Sequence, residues 1–235
     1  MTTKGAVTRA QRQAAEEAIR AAGDRALLIT PQRRDMVAQL VTALRDRPVP
    51  GVQDLLPAAE TVLLTLDSPR DGEAVRRALT TLLISLHAEQ PAGVSRGTLP
   101  DNAFRAEPVS IPVRYDGADL DEVARLLELT TAEVIAAHTG TVWRCAFVGF
   151  APGFGYLESP DGRLSVPRRA QARTAIPAGA VALAGGYSAV YPRSTPGGWQ
   201  LIGSTDLRMW DVDRDPPAVI RAGATVRFAD VRNGG

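Results

Sequence analysis

The sequence predicts an α+β protein: a small N-terminal α/β sandwich domain over residues 23–95, then a domain of short strands over 109–232. Three observations carry this. Residues 25–90 alternate strand-length apolar runs with helix-length apolar stripes. From Val142 onward, short apolar runs are punctuated by Gly and Pro with no further long helix, the pattern of a β-barrel or sandwich. Between them, residues 91–108 lack periodicity and are rich in Gly, Pro and polar residues, as a linker or long loop would be.

Taken in order, residues 1–22 are rich in Ala, Arg, Glu and Gln and read as a helical extension with a weak apolar stripe. "RALLIT" (25–30) is a short strand. "DMVAQLVTALRD" follows with Met36, Val37, Leu40, Val41 and Leu44 at helical spacing. "ETVLLTLD" places Val62, Leu64 and Leu66 on one face of a strand. In "DGEAVRRALTTLLISLHAEQP", Val75, Leu79, Leu82, Leu83 and Leu86 form one stripe, with Asp71 placed to cap the start and Pro91 just past the end. "VSIPVRY" restarts with a strand, and short helices follow near 119–128 and 131–138, each with an Asp or Thr at its N-cap. The remaining runs, "VWRCAFVGF", "AVALA", "YSAVYP", "WQLIGST" and "TVRF", supply the strands of the second domain.

Composition narrows the chemistry. The 235 residues carry 27 basic and 26 acidic side chains, a net charge of +1, so no bulk field attracts nucleic acid or a membrane surface. Lys4 is the only lysine, which removes Schiff-base and P-loop chemistry, and arginine stays protonated and cannot act as a base. Cys145, the single cysteine, lies in an apolar run and reads as a buried thiol. Two histidines and one cysteine, without H-x-x-x-H or C-x-x-C, point to no metal centre. The N-terminus has no apolar signal region and no run is long enough for a membrane span, so the cytoplasm is the expected compartment.

Standard catalytic motifs fail: "GFGYLE" lacks a third glycine, and neither a phosphate loop nor a G-x-S-x-G elbow is present. The densest chemistry lies between Val166 and Thr205. Arg168, Arg169 and Arg173 can place planar donors around a carboxylate or phosphate, or form a solvated basic loop. The glycines within 177–179, 185–186 and 196–198 either bring backbone N–H groups to an anion or serve as barrel turns. His138 either complements a helix C-terminus or acts as an acid/base. His87 reads as a surface residue. Tyr191 and Trp199 read as core or rim residues of the barrel.

"GFAPGFGYL", "VPRRAQART" and "IPAGAVALAGGYSAVYPRSTPGGWQLIGST" together resemble the allophanate hydrolase subunit 1 family, also described as the 5-oxoprolinase B subunit. That family includes a bacterial inhibitor of a sporulation histidine kinase and is similar to one half of the carboxyltransferase region of urea carboxylase. The resemblance is strong over 109–230 and weaker over 23–90. It implies a cyclophilin-like β-barrel for the second domain. It also implies a multi-subunit, ATP-dependent enzyme opening 5-oxoproline to glutamate. In that reading ATP is used by the assembled complex, since this chain has no nucleotide motif. The implied partners are a second subunit, the C type of 5-oxoprolinase, as a heterotetramer, and a third of the A type. The alternatives are a non-catalytic module inhibiting a sensor histidine kinase, or a carboxyltransferase-type subunit for urea or allophanate.

Carried onto this sequence, the resemblance makes His138 an acid/base or substrate ligand and Arg168 and Arg173 anion clamps. It places Phe154, Tyr156, Pro177, Gly179, Ser188, Tyr191 and Trp199 at the substrate. Ala172, Ala180, Tyr187 and Ala189 depart from the family pattern, which has Pro, Ser, Gln and Gly there.

Overall fold

The computed structural model describes residues 8–33, 35–88 and 107–231. Contacts between residues divide the chain into two units, 1–94 and 95–235. The expected linker, 91–108, lies outside the described residues except for 107 and 108, which run into the first strand of the second unit.

In the first unit the elements are α1 (Arg9–Glu17), β1 (Ile19–Ala21), β2 (Ala26–Ile29), α2 (Asp35–Asp46), β3 (Val52–Pro57), β4 (Val62–Leu66) and α3 (Gly72–Ala88). The strands form one sheet in the order β1-β2-β4-β3, every pair antiparallel. Alternation decides its buried face: Leu27, Ile29, Val62, Leu64 and Leu66 meet Met36, Leu40, Val41 and Leu44 of α2 and Val75, Leu79 and Leu83 of α3 in one core. β3, not legible beforehand, is an edge strand with a bulge between Val52 and Asp54 and little burial, so it carries no alternating apolar signal.

The sequence reading sets residues 1–22 apart as an extension, and the structure does not. Thr8 and Gln11 form a capping box that starts α1. Ala15 and Ile19 are buried in the same core, and β1 pairs with β2. The Arg76 guanidinium of α3 donates to the Ile19 carbonyl at 2.6 Å. The buried face of α1 is built on alanine, too small to make a strong periodic signal. Asp71 does not cap α3: it ends a short 3-10 turn, Pro69–Asp71, capped by Ser68.

The second unit contains β5 (Val109–Val113), α4 (Leu120–Leu127), α5 (Thr131–Gly140), β6 (Trp143–Val148), β7 (Gly155–Glu158), β8 (Arg173–Ile176), β9 (Ala180–Ala184), β10 (Tyr187–Val190), β11 (Thr195–Gly197), β12 (Gln200–Ser204) and β13 (Thr225–Asp230). Seven strands make one sheet in the order β12-β9-β10-β7-β6-β13-β5, with β13–β5 the parallel pair, and β8 and β11 form a separate ribbon. Just beyond β5, Arg114 bridges to Ser204 of β12 through two backbone hydrogen bonds of 2.8 and 2.7 Å. This joins the two edges of the sheet into a barrel and leaves no long open edge.

Every residue of β9 is buried, and its alternation separates two cores. Val181 and Leu183 join Val190, Ile202, Leu157 and Phe228 in the larger core, where Val123 of α4 and Val134 of α5 also lie. Ala180, Ala182 and Ala184 face the other way with Ala189 and are covered by Phe154, Tyr191, Trp199 and Leu201. Among the described residues no helix is long and apolar enough to cross a membrane.

Candidate functional site

The alanine floor and its aromatic cover bring together four of the residues expected at the site, Phe154, Tyr156, Tyr191 and Trp199. Small side chains on β9 and β10 leave room above the sheet, and the β6–β7 turn folds back to fill it. Ala151 N–H donates to the Gly149 carbonyl at 2.8 Å and Phe154 N–H to the Ala151 carbonyl at 3.0 Å. Phe150 in this turn is held at φ 69, the left-handed region that non-glycine residues rarely adopt, and the residue is 58% exposed. Phe154 is the hub of the cluster: its ring meets Tyr156 at 4.9 Å, Tyr191 at 5.3 Å and Trp199 at 5.7 Å, all edge-on. Phe154, Tyr191 and Trp199 are buried, whereas Tyr156 and Tyr187 are half-exposed and form the rim. Ala180, Tyr187 and Ala189, three of the four departures from the family pattern, therefore lie on this face.

Arg168, Arg169 and Arg173 were expected either around a carboxylate or phosphate or in a solvated basic loop; two of them surround a carboxylate, the protein's own. Asp119, 3% exposed, accepts a bidentate pair from Arg173 at 2.8 and 2.8 Å, one bond from Arg169 at 2.5 Å and one from Leu201 N–H at 2.7 Å. Burial pushes the Asp119 carboxyl up. The bonds from Arg173 and Leu201 and the charges of Arg173 and Arg169 outweigh that and hold it below its ordinary value. Asp119, expected to cap α4, makes no side-chain cap bond there. Thr130 does cap α5, through a reciprocal box with Glu133. Arg173, expected as an anion clamp, is thus committed to an internal ion pair that pins β8 and the segment before it to the start of α4. Sequence reasoning paired Arg168 with Arg173; the structure pairs Arg169 with Arg173.

Arg168 is exposed and makes no hydrogen bond or ion pair with any described residue. Its neighbours are fixed on both sides. Gln200 Nε2 donates to the Pro167 carbonyl at 3.3 Å, and Arg169 N–H donates to the Gly198 carbonyl at 2.8 Å. Three buried polar atoms on these same elements have no partner among the described residues: Arg169 Nε, Thr195 Oγ1 and Gln200 Oε1.

Four further residues expected at the site lie elsewhere in the fold. His138 is fully buried inside the barrel, with Tyr115 Oη 2.7 Å from Nδ1 and Ser188 Oγ 2.9 Å from Nε2. Its ring stacks on Phe228 at 4.2 Å. Burial depresses its pKa to about 3, so the imidazole is neutral at ordinary pH. A neutral ring with both nitrogens occupied neither complements a helix terminus by charge nor exchanges protons with a substrate. It joins α5 to β10. Ser188, expected at the substrate, is the other end of that link and faces the barrel interior. Gly179 is a barrel turn: its N–H donates to the Tyr191 carbonyl at 2.7 Å, its φ is +80, and a Cβ there would collide with the Thr205 carbonyl oxygen. Pro177, beside it, is exposed and is not a member of the buried aromatic cluster.

Cys145 is buried, and burial pushes its thiol up to about 12. His87 is half-buried, with Nε2 2.8 Å from Gln32 Oε1. Among the described residues no group of three or more His, Cys, Asp or Glu is placed to hold a metal ion. An open cavity of about 460 Å³ lies beside the β6–β7 turn, lined by Val148, Phe150, Pro152, Trp210, Ile220 and Arg221 among others. Its lining is mostly apolar, with no carboxylate, histidine or hydroxyl to do chemistry.

The closed seven-stranded barrel with its aromatic and arginine face is the architecture of a carboxyltransferase-type domain of cyclophilin-like form. The chain belongs to the carboxyltransferase domain, subdomain C and D family, whose pattern matches residues 17–220. It is 33% identical to the 5-oxoprolinase B subunit of Bacillus subtilis over 218 residues, covering 89% of this chain and 90% of that protein. Among solved structures, TTHA0988 is similar at 32% identity with a TM-score of 0.65, over 88% of this chain. This chain spans about 40% of the length of that one. Kluyveromyces lactis urea carboxylase shares the fold, with a TM-score of 0.67 at 18% identity over 91% of this chain and 21% of that one.

Proposed function

We propose that this chain is the B-type subunit of a 5-oxoprolinase, a multi-subunit enzyme that uses ATP to open 5-oxoproline to glutamate. The observation that carries the reading is the match to a 5-oxoprolinase B subunit, spread over nine-tenths of both chains rather than confined to one motif. The chemistry accounts for the use of ATP. A lactam is an unreactive amide; transferring the terminal phosphoryl group of ATP to its oxygen makes the carbon electrophilic. Water then attacks, and the ring opens with release of phosphate. Nothing in the described residues forms a glycine-rich phosphate loop followed by lysine, and the only lysine, Lys4, lies outside them. We therefore assign ATP binding to a partner, of the A or C type. This chain's part is to contribute the aromatic face, held rigid by the Asp119 ion pair.

The test is ADP release by this chain co-purified with its partner subunits, with and without 5-oxoproline. Stimulation that requires all subunits is the expected result. A well-assembled complex whose ATP use ignores 5-oxoproline would overturn the reading.

A further inference from the structure

Beside the aromatic face, among the described residues, Arg168 is a cation that the fold does not use. Arg169 and Arg173 are neutralised by Asp119, whereas Arg168 stands between two anchored residues with its head group unpaired among the described residues. Next to it are two phenols whose hydroxyls likewise make no hydrogen bond with a described residue. Tyr191 is 2% exposed, so its ring is held within the cluster and cannot simply swing into water. Its hydroxyl is packed against Gly197: a Cβ on that glycine would lie 2.7 Å from Tyr191 Oη and 2.9 Å from Ile176 Cδ1. The Tyr191 oxygen is not among the buried polar atoms left without a partner, so the hydroxyl tip reaches the surface while the ring stays fixed. Tyr156 stands on the half-exposed rim, its ring 5.7 Å from Trp199. Trp199 links these phenols to Arg168: its ring packs on Tyr156, Gly197 of the same stretch lies against Tyr191 Oη, and its chain neighbours Gly198 and Gln200 hold Arg169 and Pro167 on either side of Arg168. Burial raises the pKa of both phenols, to about 12 for Tyr191, and the positive charge of Arg168 draws both down.

We infer that Arg168, with the hydroxyls of Tyr191 and Tyr156, forms a recognition site for the carboxylate of a small planar substrate whose ring lies against the aromatic rim. The inference rests on the lactam-opening reading for the identity of that substrate, 5-oxoproline. It assigns Arg168, and neither Arg173 nor His138, to substrate. One guanidinium and two neutral phenol donors suit a monoanion and offer up to three charge-assisted bonds around its two oxygens. A phosphate dianion would call for a second cation, and the other two arginines of the segment are already neutralised. Flat rings at the rim give a planar lactam an apolar partner without directional demands.

The test uses the purified complex and three probes: 5-oxoproline, 2-pyrrolidinone (the same lactam without the carboxylate) and inorganic phosphate. Binding is measured by calorimetry and turnover by ADP release. Arg168→Gln should weaken 5-oxoproline binding by about ten- to a hundred-fold, the effect of losing a charged hydrogen-bond partner. It should leave the weaker 2-pyrrolidinone binding unchanged. Tyr191→Phe, which keeps the ring, should weaken 5-oxoproline by several-fold, and phosphate should not compete. Wild-type affinity for 5-oxoproline in Arg168→Gln, or displacement by phosphate, overturns the site. The two readings fail separately. If the complex opens the lactam with the same KM in wild type and Arg168→Gln, the site is wrong and the function stands. If 5-oxoproline binds through Arg168 but is not opened, the function is wrong and the site stands. If 5-oxoproline neither binds nor stimulates, both fall.

Discussion

Arg168, Arg169 and Arg173 meet different fates because one carboxylate, Asp119, is within reach of two of them. Once it is buried at 3% exposure it must be compensated, and Arg169 and Arg173 do so with the Leu201 amide. The cluster of arginines is visible in the sequence, but the choice among them is set by an Asp 50 positions from Arg169, whose local context looks like a helix cap. His138 shows the same limit in reverse. Its place at a helix end suggested a functional group, and only burial reveals that both nitrogens are committed to Tyr115 and Ser188. This has a consequence for pH. The folded-state pKa is depressed to about 3, below the ordinary value of 6.5, so between those values the unfolded chain binds a proton that the folded chain excludes. Stability should therefore fall as pH drops below about 6.5, by up to ~1.4 kcal/mol per pH unit from this group. Urea unfolding at pH 7 and pH 5 checks it. His138→Gln should be less stable than wild type at pH 7, and the gap should narrow by about 2 kcal/mol at pH 5. Parallel pH dependence in the two proteins would show that the ring is not held neutral.

At the scale of elements, the strong amphipathic helices were legible because Leu, Val and Met at helical spacing leave no other way to bury one face. α2 runs over the predicted residues, and α3 over most of them. The two strands missed in the first unit are edge strands. β1 is three residues long, and β3 is largely exposed; neither needs the apolar alternation that a central strand does. The status of β1 decides whether residues 1–22 matter to folding. Ile19 is 3% exposed and anchored by Arg76. Ile19→Ala should cost about 2–5 kcal/mol of stability, as for other buried aliphatic truncations. Chemical denaturation of the full chain measures this. A loss below ~0.5 kcal/mol, the range of surface changes, would return the segment to the status of an extension.

For the whole molecule, barrel closure depends on the short bridge between Arg114 and Ser204, two residues that no local pattern marks as partners. Ser204→Pro removes the N–H that donates to the Arg114 carbonyl while keeping the strand extended. Hydrogen exchange should then speed up about ten-fold or more at the Arg114 amide and along β12, because the seam opens by local unfolding. Unchanged protection there would mean that the barrel is held shut by its core alone. The sequence by itself determined the α+β class, the strongly amphipathic helices, the strand-and-turn character beyond Val142 and the family. These follow from periodicity and from a long ordered set of Gly, Pro and aromatic residues, which are local properties of the chain. Only the tertiary structure decided which polar groups are committed within the fold. Whether a charge or hydroxyl is available to a ligand depends on partners distant in sequence: Asp119 removes Arg169 and Arg173 from consideration, Ser188 and Tyr115 remove His138, and Arg168 and Tyr191 remain.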